Sequence, residues 1–124
     1  LDWTAAQGVA EICFKELYVS TSVESVYHAA ETNRWSAERQ VPLALVVEFA
    51  EQHGFREISR LPWGSPVYQG AWNGRQLRIA AYTEPSLLWE RTHGVARSWN
   101  LMADGTCLAS LEDRASEISL ENRE

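Results

Sequence analysis

Long apolar runs are missing from this chain. The longest, "PLALVV" from Pro42 to Val47, is far too short to span a bilayer. No basic segment followed by an apolar one opens the chain, so a secretory leader is not expected, and the start at Leu1 is compatible with trimming or excision upstream. Lysine is confined to Lys15, which leaves Schiff-base chemistry one position. Cysteine is confined to Cys13 and Cys107, with no C-x-x-C pair and no histidine at zinc-finger spacing. Both are expected as buried thiols in a reducing cytosol. The chain has no G-x-G-x-x-G, no G-x-x-x-x-G-K-[ST] and no G-x-S-x-G, which excludes the familiar nucleotide loops and the serine nucleophile elbow. "EFAEQH" at 48–53 carries Glu48, Glu51 and His53 but lacks the second histidine of a zinc hydrolase.

Positive charge is also scarce, with a net charge of −6. Residues 1–55 carry −5 and residues 98–124 carry −4, while 56–97 hold six arginines against three glutamates, or +3. A mildly basic middle thus sits between acidic flanks, and the overall acidity disfavours nucleic acid as a partner unless the basic patch is concentrated.

What remains is 124 residues with 45% apolar content, enough for one soluble globular domain without disulfides or metals. The expected division is a helical part at 1–54, a β-hairpin part at 55–113 containing a helix at 84–93, and an acidic tail at 114–124. In the helical part, Thr4 and Gln7 have capping-box spacing ahead of a stripe through Ala6, Val9, Ala10, Cys13 and Leu17, interrupted by Gly8. Thr21 and Glu24 repeat the spacing before Val23, Val26, Tyr27 and Ala30. Pro42 then opens a third helix with Leu43, Val46, Val47 and Ala50 inward and Gly54 as its stop.

From Phe55 the period changes. Residues 55–61 form a weak strand candidate, and Asn73-Gly74 signals a two-residue hairpin. That turn places Trp72 opposite Arg75, Gly70 opposite Leu77, Tyr68 opposite Ile79 and Pro66 opposite Ala81, with Gln69, Gln76 and Arg78 on the other face. Arg75 is then placed to stack on Trp72. Pro85 to Gly94 reads as a short helix. A second hairpin turns at Asp104-Gly105, setting Leu101 opposite Leu108, Trp99 opposite Ser110 and Arg97 opposite Glu112, the first two pairs buried. The tail is expected as a short docked helix or a frayed end. The fold class is therefore α+β: two or three N-terminal helices, then a four- to five-stranded antiparallel sheet interrupted by one helix.

Six tryptophans are the compositional excess. Trp89 and Trp99 read as core. Trp63, in "RLPWGSP", and Trp72 read as an aromatic rim at one end of the sheet, beside Tyr68, Arg75 and Arg78, and these five are the candidate binding residues. His53 and His93 each precede a glycine at a helix end, a capping position. His28 shares a helix face with Glu24 and Glu31, a weak candidate for metal or proton chemistry. No catalytic residue, metal or cofactor is assigned.

From Pro42 the order helix, three strands, helix, two strands, helix resembles that of type III secretion chaperones, which are small, acidic and dimeric. The resemblance is one of element order alone, covers about two thirds of the chain and has no motif behind it. The reading is a small acidic cytoplasmic protein-binding module, an adaptor, dedicated chaperone or inhibitor, with a protein or a second copy of itself as partner and no membrane. The alternatives are a small-molecule or carbohydrate binder using Trp63, Trp72 and Tyr68, and a small histidine-dependent enzyme.

Overall fold

A computed structural model describes residues 1–96 and 98–118. The chain is α+β, and its contacts group into two compact units: Leu1–Tyr18 with Arg39–Glu84, and Val19–Glu38 with Pro85–Glu124. No helix among the described residues is long and apolar enough to cross a membrane.

The first unit is organised by the Asn-Gly hairpin. Strands β3 (Pro66–Trp72) and β4 (Arg75–Tyr82) pair with Trp72 opposite Arg75, Gly70 opposite Leu77 and Tyr68 opposite Ile79, as the turn requires. The ladder stops at Val67 opposite Ala80, one pair short of the expected Pro66–Ala81, because proline has no N–H to extend it. Strand β2 (Arg56–Arg60) adds antiparallel to β3, with a bulge between Glu57 and Ser59.

The N-terminal reading needs correction. The helix expected over 4–17 is confined to α1 (Asp2–Ala6). The N–H groups of Gly8 and Val9 return to the carbonyls of Ala5 and Thr4 at 3.1 Å each, and Gly8 takes φ 73, which closes the helix in a Schellman stop. Beyond it, Glu11–Lys15 forms β1, parallel to β4 from Glu11 opposite Arg78 to Lys15 opposite Tyr82. Ile12 and Phe14 favour strand over helix, and the free edge of β4 supplies the backbone partners that a strand requires. The sheet order β1-β4-β3-β2 is thus mixed, antiparallel but for one edge, and not the purely antiparallel sheet expected. Cys13, expected buried, is exposed on that edge; Cys107 is buried, and both are free thiols.

Helix α3 (Ala44–Gln52) presents Leu43, Val46, Val47 and Ala50 inward, as its spacing predicts. Ala50, Phe55, Tyr68, Leu77 and Ile79 form the core, joined by Ile12, Phe49 and Trp72. Phe55 lies on Gly70 so closely that a Cβ there would meet three ring atoms at 2.6–2.9 Å. Gln69, Gln76 and Arg78 face solvent on the opposite side of the sheet.

In the second unit, the helix expected over 21–34 is replaced by turns, with Ser25, His28 and Ala30 N–H groups bonding three residues back. Serines at 20, 22 and 25 compete for the backbone, and β-branched Thr21, Val23 and Val26 weaken the helix further. The helix begins later, as α2 (Glu31–Arg39). The side-chain amide of Asn33 fastens the turns: Oδ1 accepts from Ser20 N at 2.7 Å, and Nδ2 donates to Ser20 O and His28 O. Ser20 Oγ donates to buried Glu112 at 2.7 Å.

Helix α4 (Leu87–His93) starts at Ser86, whose Oγ accepts from Trp89 N, and stops at Gly94. Strands β5 (Asn100–Leu101) and β6 (Cys107–Leu108) follow, in a register one residue away from the expected one: Leu101 faces Cys107, and Asn100 faces Leu108. The turn is three residues long, not two. Met102 N bonds Thr106 O, Gly105 takes φ 87, and Asp104 Oδ1 accepts from both N and Oγ of Thr106. In the tail, Ala109 N bonds Ser116 O and Ile118 N bonds Cys107 O, so 116–118 runs extended against β6 and not as a helix. Arg97, expected opposite Glu112, and residues 119–124 lie outside the described residues.

Candidate functional site

The second unit offers two hollows that share Leu87 and Arg91 of α4. One, of about 360 Å³, is rimmed by Val23 and Leu88; the other, of about 270 Å³, by Val95, Ala96 and Ala109. Leu87 is buried between them, so its neighbour Leu88, about 100° further round the helix, points outward. Arg91 closes the polar side. Its Nη1 donates to Glu24 and its Nη2 to Asp113 at 2.7 Å. Hydrogen bonding to Arg91 is the largest cause holding the Asp113 carboxyl below the ordinary aspartate value, and those same bonds raise Arg91.

Both prongs of the Arg91 fork are thus taken by carboxylates of the same unit, and no group of three or more His, Cys, Asp or Glu among the described residues could hold a metal ion. The arrangement offers apolar contact bordered by charge. Val23 is 80% exposed and Leu88 71%, and on β5 and the residue before it Leu101 is 75% and Trp99 70% exposed. Trp99 and Leu101 were expected in the core. The one-residue register shift exchanges the faces of that strand, placing Asn100 beside buried Leu108 and turning its neighbours out.

The five residues singled out from the sequence all lie in the first unit, in three different settings. Tyr68 is core, and its hydroxyl donates to Glu51 Oε1 at 3.3 Å. Burial first, and the Glu51 charge second, push its phenol up. Trp72 is half-buried; its indole N–H donates to Asp2 Oδ1 at 2.8 Å, and its ring meets Phe49, His53 and Phe55. Trp63 is half-buried beyond the opposite end of the hairpin, with its N–H on Thr83 O at 2.8 Å and its ring edge-on to Tyr82. The two tryptophans are therefore separated by the length of β3, roughly 20 Å, and do not form one rim. Arg75 is exposed beside Gly8, and Arg78 pairs with Glu11 at 3.0 Å on the open face. Lys15 lies over the Tyr82 ring.

His53 and His93 repeat one arrangement, each ring stacked on an aromatic one turn back and each Nδ1 on that residue's carbonyl, 2.9 Å to Phe49 O and 2.8 Å to Trp89 O. His28 is exposed in the turns, and Glu24 is drawn to Arg91, so the expected His28–Glu24–Glu31 helix face does not form. Leu87-Leu88 on a two-turn helix was the legible sign of an outward leucine. Nothing in the local sequence marked Trp99.

The chain matches no protein-family model, no curated protein and no solved structure.

Proposed function

We propose that this chain is a protein-binding module whose contact surface is the apolar set of the second unit: Val23, Leu88, Trp99 and Leu101. The observation that carries this reading is the outward placement of four large apolar side chains within a unit that buries few of its own. The unit carries ten acidic and five basic residues, net −5, so the partner it suits is apolar and basic. Trp63 and Trp72, with their N–H groups engaged internally, contribute less than the sequence suggests.

The test compares capture from source-cell lysate by the wild type, by Leu88→Ser and by Trp99→Ser/Leu101→Ser. Because these side chains face solvent, their replacement changes stability by less than about 0.5 kcal/mol. A stoichiometric partner is expected on the wild type, weakened by salt and lost from both variants, while Arg78→Ala retains it. Equal capture by the wild type and both variants would sink the reading.

A second reading, a small-molecule or carbohydrate binder, draws on a cleft of about 440 Å³ in the first unit, where Trp63 faces Pro42, Leu43 and Val47 beside Glu16 and Thr83. Sugars and small aromatic probes would then shift tryptophan emission in the wild type and not in Trp63→Phe. A shift that persists in the variant counts against this site.

A further inference from the structure

The two edges of the four-stranded sheet are finished differently. Edge strand β2 is interrupted by its bulge, and Arg60 clamps Glu57 through two bonds of 2.6 and 2.7 Å, features that discourage pairing with another strand. Edge strand β1 has an unbroken five-residue register with β4 and no bulge. Arg78 N bonds Ala10 O and Glu16 N bonds Tyr82 O, both at 2.9 Å. With a period of two, the backbone groups of even-numbered residues face β4, and those of Glu11, Cys13 and Lys15 face away from the sheet.

The sequence of this edge, Glu11-Ile12-Cys13-Phe14-Lys15, is self-complementary when run antiparallel against itself. Centred on Cys13, such a pairing sets Glu11 opposite Lys15 of a second copy and Lys15 opposite its Glu11, with Ile12 opposite Phe14 in both directions. The three outward-facing residues become the hydrogen-bonded pairs and exchange about six N–H···O=C bonds. On the open face, the pairing extends two existing ion pairs, Arg78–Glu11 and Lys15–Glu84, into a row of alternating sign: Arg78, Glu11, then Lys15 and Glu84 of the second copy. On the other face, Phe14, which is 40% exposed and opposite Ala81 on β4, gains a β-branched partner across the new pairing.

We propose that β1 is a homodimerisation edge, pairing antiparallel with β1 of a second copy about a two-fold axis at Cys13 to make one sheet continuous through both chains. The contact is five residues a side, so the dimer is reversible and concentration-dependent. It belongs to the first unit and uses none of the residues assigned to partner binding, so either can fail without the other.

Sedimentation equilibrium, from micromolar to about millimolar chain, reads the association directly. The wild type is expected to pass from the mass of one chain to that of two. Cys13→Pro removes an N–H from the free side only, where an edge strand tolerates proline, and should weaken association at least tenfold with an unchanged circular dichroism spectrum. Glu11→Lys places like charges opposite each other twice and should weaken it similarly; the exchange Glu11→Lys/Lys15→Glu restores the complement and should recover part of the loss. Diamide treatment should yield a Cys13–Cys13 disulfide between chains, since residues so paired have Cα atoms about 5.5 Å apart, within disulfide range. A single-chain mass at every concentration overturns the proposal, as does a dimer indifferent to Glu11→Lys, or an interchain disulfide that bypasses Cys13. Should Cys13→Pro fail to fold, the charge variants and the disulfide still decide.

Discussion

The first unit buries Ala50, Phe55, Tyr68, Leu77 and Ile79 as one apolar cluster under α3. In the second, Leu87, Cys107 and Leu108 are buried together with polar Ser20, Ser25 and Glu112, and α2 buries nothing. One unit rests on area removed from water. The other is stitched by side chains that bond the backbone: Asn33 to Ser20 and His28, Asp104 to Thr106, Ser116 to Ser110 and Asp113. Burial tolerates many apolar residues of similar volume, whereas each stitch depends on one polar atom in one place. Four of the five most exposed large apolar side chains among the described residues, Val23, Leu88, Trp99 and Leu101, belong to the second unit. Its backbone is held without them.

The contrast is most severely tested by Leu77→Ala. Removing a fully buried leucine should cost about 3 kcal/mol in urea unfolding and strip hydrogen-exchange protection from β3 and β4. A loss under 1 kcal/mol would mean that the core is not what holds the first unit. Gly70→Val follows at about 2 kcal/mol, because the added atoms displace the Phe55 ring.

In the second unit, Asn33→Ala leaves Ser20 N and O without their partner and should cost about 1–2 kcal/mol. Exchange should accelerate over 19–30 and leave β3 and β4 untouched. Acceleration across both units instead would show that they open as one body. Ser86→Ala removes the cap of α4 and should cost about 1 kcal/mol, read as faster exchange at Trp89.

Acid has the smallest expected effect and separates the units by NMR. Asp2 is held low chiefly by the Trp72 N–H and Asp113 chiefly by Arg91. A carboxyl lowered in the fold contributes stability that is full above its unfolded value and is lost as pH falls through the folded one, here below about pH 4. The Trp72 indole proton and the Arg91 side-chain signals should move together with those carboxyls. An unchanged Arg91 signal down to pH 2 would remove the ion pair from the account of the second unit.

How much of this was legible followed the range of the physics involved. The α3 stripe, the Asn73-Gly74 register and the Gly94 stop depend on residues within a few positions of each other. Gly8 was legible as a weak point of a helix but not as its end, because the choice between helix and strand at 11–15 belonged to the edge of β4, more than sixty residues away. Trp63 and Trp72 share a composition class but not a place, since six residues of β3, 66–71, stand between them. Trp99 turned outward because a three-residue turn replaced a two-residue one, and Asp104-Gly105 suits either.

By itself the sequence determined the α+β class, the central hairpin with its register, the inner face of α3 and a helix stopping at Gly94, expected from 84 and found from Leu87, all of which follow from backbone geometry and short-range side-chain chemistry. Only the tertiary structure decided that residues 11–15 form a parallel edge strand, that Asn33 and Glu112 hold the turns around Ser20, and which tryptophans face solvent. Each of those choices turns on hydrogen bonds or burial shared with distant parts of the chain, and their free energy exists only once both parts are in place.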